Sequence, residues 1–287
     1  LPDRESVATL CRELLGLVFP GFFTTCGGCG GHLDTYTRHR LLGLDGLLRR
    51  LLSRSLAFQR RADGATASDR AEHQVDEWFA GFIDALPQVG HLIASDVEAM
   101  FRNDPAASSA AEIVAAYPGL EAIAVQRFAH VLYRMQVPVL PRMMTEAAHS
   151  RTGIDINPGA AIGECFAIDH GTGVVIGDTC TIGSNCMLYH GVTLGAFNPL
   201  RKDDDGNLPR GAANKRHPDL EDHVIVYPGA TILGGQTRIG HHSIIGGNVW
   251  LTQSVEAYTT VTIADPDLVI RNKGTGKVRR TGGDAAR

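Results

Sequence analysis

This 287-residue chain lacks any apolar run close to the twenty or so residues that cross a bilayer. No signal-peptide pattern opens it either, so the expectation is a cytoplasmic protein with no membrane partner. Charge of one sign is also missing. Lys and Arg number 27 against 31 Asp and Glu, for a net charge of −4. That excludes a nucleic-acid binder driven by bulk electrostatics. Cysteine is sparse, with six residues at 11, 26, 29, 165, 180 and 186. The last three occupy small-residue positions, where a thiol packs as a small hydrophobe. Cys26-Gly27-Gly28-Cys29 followed by His32 has a metal-like spacing, but a CxxC with no second pair is a weak zinc signal, and no metal is expected. The whole suits a reducing compartment.

What is present is a six-residue period from Ile154 to Val255. Aliphatic residues recur at Ile156, Ile162 and Ile168, then, after a two-residue slip, at Ile176, Ile182, Leu188 and Leu194. They return at Leu220, Val226 and Ile232, and again at Ile239, Ile245 and Leu251. Repeats this short cannot bury a core singly, so coil must stack on coil. The pattern is that of a parallel β-helix, each coil being three short strands with the aliphatic residue inward. A mixed α/β domain would have to produce a dozen in-phase hits by chance.

The fold class expected is therefore α+β, an N-terminal α-helical domain over 1–150 followed by the β-helix over 151–257. Apolar residues at three-to-four spacing mark helices over Arg4 to Val18, Leu41 to Arg60, Ala71 to Ile93, Ala106 to Tyr117 and Leu120 to Met135. Asp104-Pro105, Pro118-Gly119 and Pro138 to Pro141 read as breaks. Arg38 to Arg61 is a basic amphipathic stretch, read as a solvated helix face. A charged loop, about 196–215, interrupts the coils, as a solenoid can extrude one from a corner. Residues 258–287 lose the period and read as a mobile basic tail.

A β-helix is scaffold, so function must be read from residues that break its rule. These are Asp155, Asp169-His170, His190 and Lys215-Arg216-His217. Singly, each is more often a satisfied surface group. Together they describe chemistry. Asp155 precedes His170 by fifteen positions, close to one coil, so the two can meet on adjacent turns. A carboxylate beside an imidazole fixes its tautomer and makes the far nitrogen a competent general base. Arg216 offers a fork for a carboxylate, and Asp169 could hold an ammonium group. Such a set suits an amino acid whose hydroxyl is to be deprotonated.

At this point the sequence resembles the serine O-acetyltransferase family. The matching text is Asp155-Ile156-Asn157-Pro158, Ile168 to Gly177 with its Asp169-His170-Gly171-Thr172-Gly173, Gly191-Val192-Thr193-Leu194-Gly195, Arg216-His217-Pro218, and Asp104-Pro105 at the end of the helical region. The resemblance implies that the coils are left-handed, against the usual right-handed crossover. It implies that His170 is the base, oriented by Asp155, and that Asp104, Asp169, Arg216 and His217 form a serine pocket which L-cysteine also occupies as feedback inhibitor. It gives the backbone of Ala196 to the thioester oxyanion, and Pro228 and Gly246 to the pantetheine arm of acetyl-CoA. Serine would attack acetyl-CoA directly, at sites between subunits of a homotrimer or a dimer of trimers.

Three departures stand out. The loop before Arg216 is longer than in the best-known bacterial forms. Ile263-Ala264-Asp265-Pro266-Asp267 replaces a Gly-x-Pro-x-Arg-like segment of the outer CoA contacts. The chain ends Asp284-Ala285-Ala286-Arg287, where typical members carry an isoleucine that enters cysteine synthase, so no tight complex through this end is expected. Lys277, Arg279 and Arg280 could instead meet the 3′-phosphate of CoA. Rival readings are a hexapeptide acetyltransferase for another hydroxyl or amine, and a γ-carbonic-anhydrase-like zinc hydratase using His170, His190 and His217.

Overall fold

The structure, a computed structural model, describes residues 1–23, 33–62, 70–198, 200, 208, 214–264 and 268–281. The Cys26–Cys29–His32 set, most of the inserted loop, Asp265 to Asp267 and the last six residues lie outside these. Among the described residues no helix is long and apolar enough to cross a membrane.

Six helices come first: α1 (Arg4–Val18), α2 (Leu33–Ala62), α3 (Arg70–Asn103), α4 (Ala110–Ala116), α5 (Pro118–Arg134) and α6 (Leu140–Thr152). Their ends follow local chemistry. Asp3 caps α1 by accepting from the Ser6 amide at 2.8 Å. Ser109 caps α4 by accepting from the Glu112 amide at 3.2 Å, and the Glu112 carboxylate accepts from the Ser108 amide at 2.8 Å. Pro118 opens α5, and Gly153, at φ 72°, closes α6 in the left-handed region. Two expectations are corrected. Helix α3 continues ten residues beyond Ile93, because its apolar face remains covered through Met100. The stretch Pro138 to Pro141 does not merely break the chain, for Pro141 lies in the first turn of α6, where a missing N–H costs nothing.

The chain then winds as a parallel, left-handed β-helix. The first coil holds β1 (Asp155–Ile156), β2 (Ala161–Ile162) and β3 (Ala167–Asp169). The second holds β4 (Val175–Ile176), β5 (Thr181–Ile182) and β6 (Met187–Tyr189). The third holds β7 (Thr193–Gly195), β8 (Asp219–Leu220) and β9 (Ile225–Val226), and the fourth β10 (Thr231–Leu233), β11 (Arg238–Ile239) and β12 (Ile244–Ile245). The fifth keeps β13 (Trp250–Leu251) and β14 (Thr260–Val261). Strands of like place stack into three faces: the first from β1 to β13, the second from β2 to β11, the third from β3 to β14. The six-residue period becomes rungs. Ile156, Ile176, Leu194, Ile232 and Leu251 stand in register on the first face. Ile168, Leu188, Val226 and Ile245 do so on the third. All of these but the terminal Leu251 are buried.

The regular coiling runs past residue 257, since β14 pairs with β12. Beyond it β15 (Leu268–Arg271) and β16 (Val278–Thr281) form an antiparallel hairpin, where an aperiodic tail was expected. Helices and coils share one core. Arg127 of α5 is 4% exposed and makes a two-pronged ion pair with Asp96 of α3 at 2.6 and 2.7 Å. It also donates to the carbonyls of Ile162 and Gly163, while Asp96 accepts from the Phe166 amide at 2.9 Å. A buried charge needs such company.

Candidate active site

The sequence-derived site residues gather at two corners of the triangular coil. The corner between the third and first faces carries Asp169 and His170. His170 sits at φ 57°, a region that costs most side chains energy but that histidine visits more than most. The turn throws its ring outward, with the side chain 73% exposed. Its Nδ1 lies 3.7 Å from an Asp169 oxygen, beyond hydrogen-bond range. The His190 ring meets it edge-on at 5.6 Å, one coil along. Tyr189 stands in register with Asp169 and stacks on Tyr227 at 5.1 Å.

Asp104 reaches this corner from the end of α3. The proline after it stops the helix, and the freed carboxylate accepts from the Ala106 amide at 2.8 Å and from the Tyr117 hydroxyl at 2.5 Å. The Tyr117 bond, then the amide and the nearby His170, hold its carboxyl below the usual range. The same bond pushes the Tyr117 hydroxyl up to about 12, so it stays a donor. Nothing in the periodicity pointed to Tyr117. The Tyr-Pro-Gly text before α5 was its one signal. Pro228 and Gly246 fall on this same corner, after β9 and β12.

Arg216 and His217 occupy the other edge of the first face, where the inserted loop re-enters before β8. Arg216 pairs with Asp178 at 3.1 Å and donates to the Asn214 carbonyl at 3.1 Å. Thr179 organises the re-entry. Its hydroxyl accepts from the Arg216 amide at 2.9 Å and the His217 amide at 3.1 Å, and its own amide donates to His217 Nδ1 at 3.1 Å. That assigns the neutral ring's proton to Nε2. Burial, then the neighbouring Arg216, lowers His217 to about 4. The ring packs so closely on Gly177 that a Cβ there would enter it. Ala196 follows β7 at this same corner. Sequence reasoning missed Asp178 and Thr179, which look like ordinary turn residues.

One pairing expected from spacing is absent. Asp155 is not bonded to His170. Helix α6 lies over the start of the first coil and places Arg142 3.0 Å from the Asp155 carboxylate. Arg142 also pairs with Glu146. Glu146, His149 and Asp155 are the group among the described residues whose ligand atoms lie close enough to hold an ion, yet the Arg142 guanidinium already supplies positive charge there. His217 stands at a different corner from His170 and His190, so the zinc-hydratase trio does not converge within one chain.

No protein-family model matches the chain. A serine acetyltransferase of Synechococcus elongatus, described as plasmid-borne, is 44% identical over 272 residues, spanning 92% of this chain and 82% of that protein. This chain belongs to the serine acetyltransferase family. A serine acetyltransferase of Staphylococcus epidermidis is 41% identical over 179 residues, 62% of this chain and 78% of that protein. Among solved structures, serine acetyltransferase 1 of Entamoeba histolytica in complex with L-cysteine superposes with a TM-score of 0.76 at 34% identity, covering 89% of this chain and 86% of that one.

Proposed function

We propose that this chain is a serine O-acetyltransferase, moving the acetyl group of acetyl-CoA to the L-serine hydroxyl in the first step of cysteine biosynthesis, in the cytoplasm. The observation that carries the reading is the chemistry of the two corners. One offers an exposed imidazole between Asp169 and Asp104, and the other an arginine fork beside a neutral His217. His170 takes the hydroxyl proton, and the two carboxylates face the substrate ammonium group. Arg216 and His217 take its carboxylate, Asp178 yielding part of the fork. Asp155 steadies His170 once Arg142 releases it. Ala196 lends its amide to the thioester oxyanion, and the pantetheine arm runs past Pro228 and Gly246. L-Cysteine, with the same ammonium and carboxylate, fits the pocket as an inhibitor.

The corners stand at opposite edges of one face, roughly 15–20 Å of strand apart, too far for one serine to touch both. A second copy must bring its Arg216 corner to the His170 corner of the first. The intervening face suits such a contact. Its outward rungs are Val175, Thr193, Thr231 and Trp250, and Trp250 is 69% exposed. A closed ring of three such contacts gives a trimer. Thiol release from acetyl-CoA, measured against a panel of amino acids and sugars, tests the activity. Turnover with serine is expected, and turnover confined to a sugar or another amine would overturn it.

A further inference from the structure

Tyr117 takes no part in the roles assigned so far, yet it is tied to the acceptor pocket from three sides. Its hydroxyl donates to Asp104 at 2.5 Å. Asp169 lies near enough to raise its pKa further. Its backbone is anchored as well. Tyr117 caps α5, Pro118 fixes the first turn, and Gly119 lies so close to the Ile168 carbonyl that a Cβ would collide with it. Ile168 directly precedes Asp169 and His170. The start of α5 is thus pinned to the strand that carries the base.

Resting on the serine-acetyltransferase reading, we propose that Tyr117 is a positioning residue of the acceptor site, fixing the Asp104 carboxylate so that it recognises the ammonium group of serine and of cysteine. Each Asp104 oxygen has one protein donor, from Ala106 and from Tyr117, and keeps acceptor capacity for an incoming ammonium. Without the hydroxyl, Asp104 would be held by its own turn alone and free to rotate about its side-chain bonds. Tyr117 would therefore select acceptors that carry an α-amino group, without touching the proton transfer.

The test is Tyr117→Phe, which keeps the ring and its packing. The KM for serine and the Kd for cysteine should both rise about tenfold, the scale of one hydrogen bond to a charged group. The kcat and the KM for acetyl-CoA should stay within about twofold. 3-Mercaptopropionate, which is cysteine without its ammonium group, should bind wild type and variant alike. In a double-mutant cycle, Tyr117→Phe should add little to Asp104→Asn. Equal weakening of cysteine and mercaptopropionate, or additive losses in the cycle, would reduce Tyr117 to a wall of the pocket and overturn the inference. Unchanged serine and cysteine constants would do the same. Wild-type protein that neither acetylates serine nor binds cysteine would instead sink the serine reading itself.

Discussion

At the scale of single residues, the two histidines of the site do opposite things. His170 is held out in solvent on a left-handed turn. Its removal in His170→Ala should lower kcat about 10²–10⁴-fold, the usual worth of a general base, with little change in the KM for serine. Steady-state kinetics check this, and an intact kcat would reassign the base. His217 is instead kept neutral. Its folded-state pKa of about 4 lies below the ordinary 6.5, so the unfolded chain binds the extra proton first as pH falls. The stability tied to the neutral ring is complete above pH 6.5 and is lost progressively down to about pH 4. His217→Gln should therefore flatten the fall in Tm between those pH values, while lowering Tm at pH 7. A Tm series in matched buffers would reveal an unchanged slope if another group were responsible.

At the scale of elements, the decisive contact is the one between helices and first coil. Asp96 and Arg127 are both almost wholly buried, and their pair is surrounded by the Phe166 amide and two carbonyls of the second strand's turn. Asp96→Asn leaves the guanidinium buried without its counter-charge, a loss of about 3–5 kcal/mol by analogy with other broken buried pairs. Urea unfolding should show the change, with Tm falling in parallel. A shift under 1 kcal/mol would mean that the guanidinium finds water instead. Since Asp104 directly follows α3, the variant should also raise the KM for serine. The coils themselves were legible in advance, because a mixed α/β domain would produce a dozen aliphatic residues in one six-residue phase only by chance. Asp169 and Arg216 were singled out as residues that break the coil's rule, and Asp104 through the motif of a resembling family. Arg142 and Tyr117 were not legible, since each reaches its carboxylate, Asp155 or Asp104, from a separate helix. The engagement of Asp155 by Arg142 in place of His170 was not legible for the same reason: sequence spacing could see the coil but not α6 lying across it.

At the scale of the whole molecule, the proposed sharing of the site between the corners of two copies would make catalysis a property of the assembly. His170→Ala and Arg216→Ala each remove one half. In the proposed trimer, either variant alone has three damaged sites. In a mixed trimer, the Arg216→Ala chain can present an intact His170 corner to the intact Arg216 corner of a His170→Ala neighbour. A trimer that holds both variants has both intact halves at one of its three sites, so mixed trimers of two nearly inactive proteins should restore about a third of wild-type kcat. Co-expression with two affinity tags, followed by tandem purification and a thiol-release assay, measures it. Were the base and the fork to act within one chain, every site in the mixture would still lack one of them, and no activity would return. Retention through both affinity steps shows that the trimers hold both variants, and analytical ultracentrifugation that they are intact, so that a silent preparation of well-formed mixed trimers would count against the shared site and not against the mixing.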